Sequence, residues 1–211
     1  EDEEVIFEGS KEYKRVNNFN PDLSEIGEEE KIEFVKELEE EAFKADERIA
    51  SVQACVYGDG MGEIVLSNTK GLFLEDKSNI AYTYISVVAK EGEDIKTGLA
   101  YRTGNDFSKF KAKEIAREAV EEALALLGAS PVKSGDYKVI IRNSAAADLL
   151  EAFTGIFSAE AVQKNLSLLK GKLNEKIASS VFTLVDDPYM EGGLASRSFD
   201  GEGVACKYKK V

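Results

Sequence analysis

The sequence predicts an α+β protein, on three observations. Apolar residues recur at helical spacing over 28–45 and again over 107–127. They alternate with a period of two over 79–104. Short clusters of Gly, Asn, Pro and Ser separate these stretches, as turns require.

Residues 1–26 read as extended and polar, with "NNFNPDLSEIG" as a linker or turn. In the first helix Ile32, Val35, Leu38, Ala42 and Phe43 share a face, and Glu and Lys fill the other. "SVQACVY" (51–57) and "EIVLSN" (63–68) read as strands joined by a glycine turn at "GDGMG" (58–62), making a hairpin. "TKG" is a second turn, and 79–104 gives two further strands joined at "EGED". There Tyr82, Tyr84, Ser86 and Val88 share one face, and Ala81, Thr83, Ile85 and Val87 the other. The helix over 107–127 has Asp106 as N-cap, a stripe of Ala112, Ile115, Ala116, Ala119, Val120, Ala123, Leu124 and Leu127, and Gly128 at C′.

"ASPVKSG" (129–135) is the clearest linker, so a first domain is expected over 1–130 and a second over 131–211. The first is α+β with an antiparallel sheet; the second begins a β-rich domain. Within it "DYKVIIRN" (136–143) reads as a strand, 144–157 as a helix opened by Asn143 or Ser144, and 158–178 as a helix with an irregular crossover. "SSVFTLVDDP" (179–188) reads as strand and turn, 190–203 as a Gly-rich loop, and "VACKYKKV" as a strand beginning. The chain starts without Met and stops inside this strand pattern, so a part of a longer protein is expected.

Charge and composition exclude several classes. The net charge of −13 repels nucleic-acid phosphates, so no direct nucleic-acid binding is expected. The acid is concentrated in "EDEE" (1–4) and in 28–43, read as a soluble terminus and a solvated helix face. No apolar run approaches the ~20 residues of a membrane helix, and with four acidic residues at the start of the sequence no signal peptide is expected. Cys55 and Cys206 form no C-x-x-C pair, which fits reduced thiols in a cytoplasmic protein. Without a single histidine the chain holds no Ser-His or Cys-His nucleophile and no H-E-x-x-H zinc site.

"GDGMG" lacks the length and the Lys of a P-loop. Asp186, Asp187 and Glu191 in "VDDPYMEGG" do not follow a calcium-loop pattern and read as a solvated turn. In "SFDGEGVACKY" (198–208) Asp200 and Glu202 alternate with Gly201 and Gly203. This reads as a structural turn whose carboxylates accept backbone N–H groups.

Four stretches in order, over about 45–211, resemble the PmbA/TldD family, the so-called modulators of DNA gyrase. "LSNTKG" resembles its V-x-N-S-x-G segment through Asn68 and Gly71, and "YRTGNDF" its R-x-G motif. The run from "KAKEIAREAV" to "AAADLLEAF" resembles its helix–linker–strand–helix junction, and "GGLASRSFDGEGVAC" its loop-and-strand signature. The resemblance implies a two-domain protein about twice this length, with a barrel-like second domain.

One branch of the family, TldD, carries the zinc-protease motif H-E-x-x-x-H on the first helix of the second domain. Placed on that motif, Leu150 and Gly155 occupy the histidine slots and Glu151 the general-base slot. Leu and Gly offer zinc no ligand. The chain is thus similar to the PmbA branch, also called TldE. The resemblance implies no cofactor in this chain, zinc only on a TldD-like partner subunit, and a dimer, homo- or heteromeric. The implied work is proteolysis of unfolded or small peptides, in antitoxin degradation and peptide-antibiotic maturation. By composition alone Glu151 is a solvated carboxylate on an amphipathic helix. Two other readings stay open: a stand-alone peptidase using Glu, Asp and Cys ligands, and a non-enzymatic, peptide-binding regulatory homodimer.

Overall fold

The computed structural model describes residues 6–211, so "EDEE" lies outside the described residues. The architecture is α+β. A short α1 (Pro21–Ser24) leads to α2 (Glu28–Ala45), a three-stranded antiparallel sheet, and α3 (Ala112–Ala125). The strands β1 (Ile49–Ser67), β2 (Phe73–Glu91) and β3 (Asp94–Gly104) lie in the order β1-β2-β3.

The expected hairpin at "GDGMG" is not formed. β1 runs straight through it, paired with β2 from Gly58↔Tyr82 to Gly62↔Ser78. A turn would have needed positive φ, and Gly58, Gly60 and Gly62 are not among the glycines that have it. Continuous pairing along β2 holds these glycines extended, on the same face as Tyr82, and the Tyr82 ring lies against Gly58. The real turn follows at 68–71, where Gly71 has φ +90°.

Alternation along β2 sorts its side chains. Ala81, Ile85 and Val87 are fully buried and Thr83 nearly so, while Tyr82 remains exposed. The buried face packs on α2 through Leu38 and Ala42, and on α3 through Ile115, Ala116, Ala119, Val120 and Ala123. Each fully buried Leu, Ile or Val contributes about 1.5–3 kcal/mol. Phe34, Tyr57, Phe107 and Phe110 close one end of this core, with ring centroids 5.5–6.3 Å apart. The stripe read over 107–127 is the buried face of α3, but the helix starts later. Asp106 caps a 3-10 turn at Phe107–Lys109 through the Ser108 N–H (3.1 Å), and α3 begins at Ala112. Gly128 follows with φ +75°.

Beyond this core, α4 (Asn143–Glu151) and α5 (Ala159–Gln163) are short, and β4 (Val185–Asp186) pairs with β5 (Lys209–Lys210). Several expected elements are replaced here. Residues 136–143 form no strand: no described segment pairs with them, and Ile140 is 99% exposed. A ladder needs a second strand to satisfy its N–H and C=O groups. The helix expected over 144–157 ends at Glu151 and gives way to a 3-10 turn at Thr154–Phe157. It begins at Asn143, one of the two expected openings, with Arg142 as N-cap. The helix expected over 158–178 is reduced to α5, which Ser158 caps and Asn165, at φ +60°, follows. Of the strands expected over 179–188 and 204–211, only β4 and β5 form.

The chain divides into two compact units. One takes residues up to Ser130 together with Asp187–Lys207, and the other Pro131–Asp186 with Tyr208–Val211. Residues 187–207 thus return to the first unit.

Candidate functional site

Two places carry the residues singled out above. The first is the end of α4. Leu150 and Glu151 form its last turn, and Gly155 lies in the following 3-10 turn. The Thr154 hydroxyl donates to the Glu151 carbonyl oxygen (2.8 Å), and the Phe153 N–H to that of Leu150 (2.9 Å). Glu151 is exposed and Leu150 is 43% exposed. The helix therefore stops between Leu150 and Gly155. Leu150 and Gly155 have no metal-binding atom in their side chains, so this set does not fit zinc. Among the described residues no three His, Cys, Asp or Glu side chains are grouped as metal ligands.

The second place is the loop at 198–205. Asp200 organises it: one carboxylate oxygen accepts the N–H groups of Glu202 (3.0 Å) and Val204 (2.9 Å). Its own N–H donates to the Val204 carbonyl (3.0 Å), and Phe199 bridges Ala205. Gly203 has φ +86°, and a Cβ there would sit 2.7 Å from Leu72 Cδ2. Only glycine meets both demands.

This loop holds the segment around Ser10 and Tyr13. The Tyr13 hydroxyl donates to the Gly203 carbonyl (2.7 Å), and the Ala205 N–H to the Ser10 hydroxyl (3.0 Å). The Tyr13 ring meets Phe199 edge-on at 6.5 Å, and Lys14 Nζ sits 4.2 Å above the Tyr189 ring. Asn18 Nδ2 donates to the Ser196 carbonyl.

Asn18 also opens a network that the sequence reading missed. Asn105 Nδ2 donates to the Asn18 carbonyl (3.2 Å), and Asn20 Nδ2 to the Asn105 carbonyl (2.7 Å). Asn79 bonds the Asn20 backbone twice: its Oδ1 accepts the N–H (2.9 Å) and its Nδ2 donates to the carbonyl (2.6 Å). The only signal was the run of asparagines in "NNFN", which fits a turn equally well.

The remaining motif residues serve turns and ion pairs. Asn68 Oδ1 accepts the N–H groups of Lys70 (2.9 Å) and Leu72 (3.2 Å), and its Nδ2 donates to the Phe7 carbonyl (2.6 Å). Arg102 pairs with Glu118 at 2.5 Å. The acidic trio separates: Asp186 pairs with Lys209 (3.4 Å), whereas Asp187 accepts the Tyr189 N–H (3.0 Å). Neither Cys55 nor Cys206 is in a disulfide. Burial pushes the Cys55 thiol up to about 11, helped by the charge of Glu39. Among the described residues no helix is long and apolar enough to cross a membrane.

Both places lie within a stretch that matches known proteins. Residues 21–127 match the PmbA/TldA metallopeptidase central domain, and 134–211 its C-terminal domain. A metalloprotease of Methanocaldococcus jannaschii is 32% identical over 92% of this chain and 43% of its own. Metalloprotease PmbA of Escherichia coli O157:H7 is 26% identical over 92% and 43%. A TldD homologue of Haemophilus influenzae is 29% identical over 88% and 40%. The crystal structure of a proposed modulator of a DNA gyrase from Thermotoga maritima superposes with a TM-score of 0.93 at 35% identity, over 98% of this chain and 48% of that one. The chain thus spans less than half the length of these relatives. Two family domains matched in chain order, and relatives above 30% identity along nearly its whole length, place the chain in the PmbA/TldD metallopeptidase family.

Proposed function

We propose that this chain belongs to the PmbA-like (TldE) subunit of a heterodimeric TldD/TldE-type metalloprotease that acts on unfolded or small peptides. In this reading a TldD-like partner holds the zinc, and the present subunit closes the dimer around the substrate. Antitoxins and peptide-antibiotic precursors are the substrate classes proposed. What supports the reading is the sequence at the α4 terminus: placed on the family's zinc motif, Leu150 and Gly155 fall in the histidine slots and Glu151 in the general-base slot. A zinc centre needs nitrogen, sulfur or oxygen donors, and two of the three motif side chains supply none.

The test uses the full-length protein with and without a TldD-like partner. Stoichiometric zinc and peptidase activity should appear in the complex, and neither in this subunit alone. Zinc-dependent peptidase activity of the isolated full-length protein would overturn the reading.

A further inference from the structure

Asp–Gly occurs twice in the chain, at 59–60 and at 200–201, and the fold treats the two pairs differently. In such a pair the backbone nitrogen of the glycine can attack the carboxyl carbon of the aspartate, because no Cβ hinders its approach. In β1 the pair is locked into the ladder with β2, Asp59 opposite Ala81 and Gly60 opposite Ile80. Lys31 Nζ also holds the Asp59 carboxylate at 2.6 Å. Turning this peptide toward its own side chain first requires the strand to open.

At Asp200 the side chain is already folded forward along the chain. Its Oδ1 accepts the N–H groups of Glu202 (3.0 Å) and Val204 (2.9 Å), so the carboxyl group lies along the peptide that Gly201 shares with Glu202. The turn is fixed on both sides. The Gly203 N–H donates to the Asp200 carbonyl (3.1 Å), and the Asp200 N–H to the Val204 carbonyl (3.0 Å). Two N–H groups converging on one carboxyl oxygen also stabilise negative charge that develops on it.

We propose that Asp200–Gly201 is a site of spontaneous isoaspartate formation, and that the native loop accelerates the reaction. The Gly201 nitrogen bonds to Asp200 Cγ and gives up its proton. Charge gathers on Oδ1, where the Glu202 and Val204 N–H groups hold it, and Oδ2 leaves as water. The product is a five-membered succinimide. Water then opens the ring. Attack at Cγ restores aspartate, whereas attack at the Asp200 backbone carbonyl carbon routes the chain through Cβ and Cγ. One water is lost and one gained, so mass and charge are unchanged. The main chain is longer by one methylene, in the loop that seats Ser10 and Tyr13. The fold thus supplies the reacting pair in place and the donors for the charge. This goes beyond the proposed subunit role and requires neither zinc nor a partner, so failure of the peptidase assay leaves its test intact.

The test incubates the full-length protein beside a synthetic peptide of residues 198–205 in the same neutral buffer. Isoaspartate is read by digestion with a protease that cuts before aspartate but not before isoaspartate, followed by mass spectrometry. Asp200 should isomerise about 10-fold faster in the folded protein than in the peptide, well short of what an enzyme's oxyanion donor supplies. Asp59 should isomerise at least about 10-fold more slowly than Asp200, because its strand must open by local unfolding. Val204→Pro, which removes one of the two donors, should lose most of the acceleration in a folded variant. A rate at Asp200 no higher in the protein than in the peptide shows that the hydrogen bonds only steady the resting carboxylate, and overturns the proposal whether or not the variant folds. Equal rates at Asp59 and Asp200 in the folded protein overturn it as well.

Discussion

Gly98 and Gly62 are both strand glycines, yet the same substitution should affect them oppositely. A Cβ on Gly98 would stand 2.1 Å from the Ala119 carbonyl oxygen and 2.5 Å from the Ala123 nitrogen, both α3 backbone that cannot rotate away. Gly98→Ala should lower stability by about 2 kcal/mol or more in urea unfolding, through overpacking. Gly62→Ala meets nothing within 4 Å, and should be neutral or stabilising by up to about 1 kcal/mol. Nothing in the sequence separates these glycines, because the difference lies in how closely a remote helix approaches. Cys55 gives a second prediction. With its thiol raised to about 11 by burial and its Sγ 3.4 Å from the Val35 carbonyl, it should resist alkylation at pH 8 until the protein unfolds. Mass spectrometry after timed iodoacetamide treatment reads this directly. The Asp46–Arg48 pair adds a pH dependence. Hydrogen bonds from the Arg48 side chain, then its backbone N–H, hold Asp46 at about 2. That is below the ordinary carboxylate value of about 3.9. Its contribution is therefore complete above about pH 4 and lost as pH falls through about 2. Asp46→Asn should flatten the acid-unfolding profile in that window, followed by circular dichroism.

At the scale of elements, legibility tracked the range of the forces involved. α3 and the sorting of β2 were readable because one buried face imposes a period that the chain itself displays; α2 forms where expected, but its buried residues are Phe34, Leu38 and Ala42, while Ile32 and Phe43 are exposed. β1 was misread at its glycines, since continuous pairing with β2 outweighed their local turn preference. Residues 136–143 show the converse: "KVIIR" has strand chemistry, but strand chemistry without a paired neighbour makes no strand. That Leu150 and Gly155 offer no metal donor is legible because donor chemistry is written in residue type. The asparagine network was not, because its members lie up to 87 residues apart. The "FDGEG" loop offers a test at this scale. Asp200→Ala removes the acceptor of two backbone N–H groups and should cost about 1–3 kcal/mol. Hydrogen exchange should then accelerate at Glu202 and Val204 first.

For the whole molecule, the family assignment rests on both domains, and the proposed subunit role on the residues at the end of α4. Glu151 is exposed and its neighbours cannot hold a metal. Glu151→Gln in the complex with a TldD-like partner should leave peptidase turnover within about two-fold, the scale of an ordinary surface change. A loss of activity beyond that would give this subunit a direct part in the chemistry.

The return of residues 187–207 to the first unit has a consequence for biosynthesis. Tyr13 and Gly203 are 190 residues apart, and Ser10 and Ala205 are 195 apart. At 5–20 residues per second, a ribosome takes roughly 10–40 s to deliver the second member of each pair after the first. Through that interval the segment around Ser10 and Tyr13 has the sheet beside it but no loop to seat it. It is thus the part of the first unit most open to chaperones and proteases while the polypeptide is still being made.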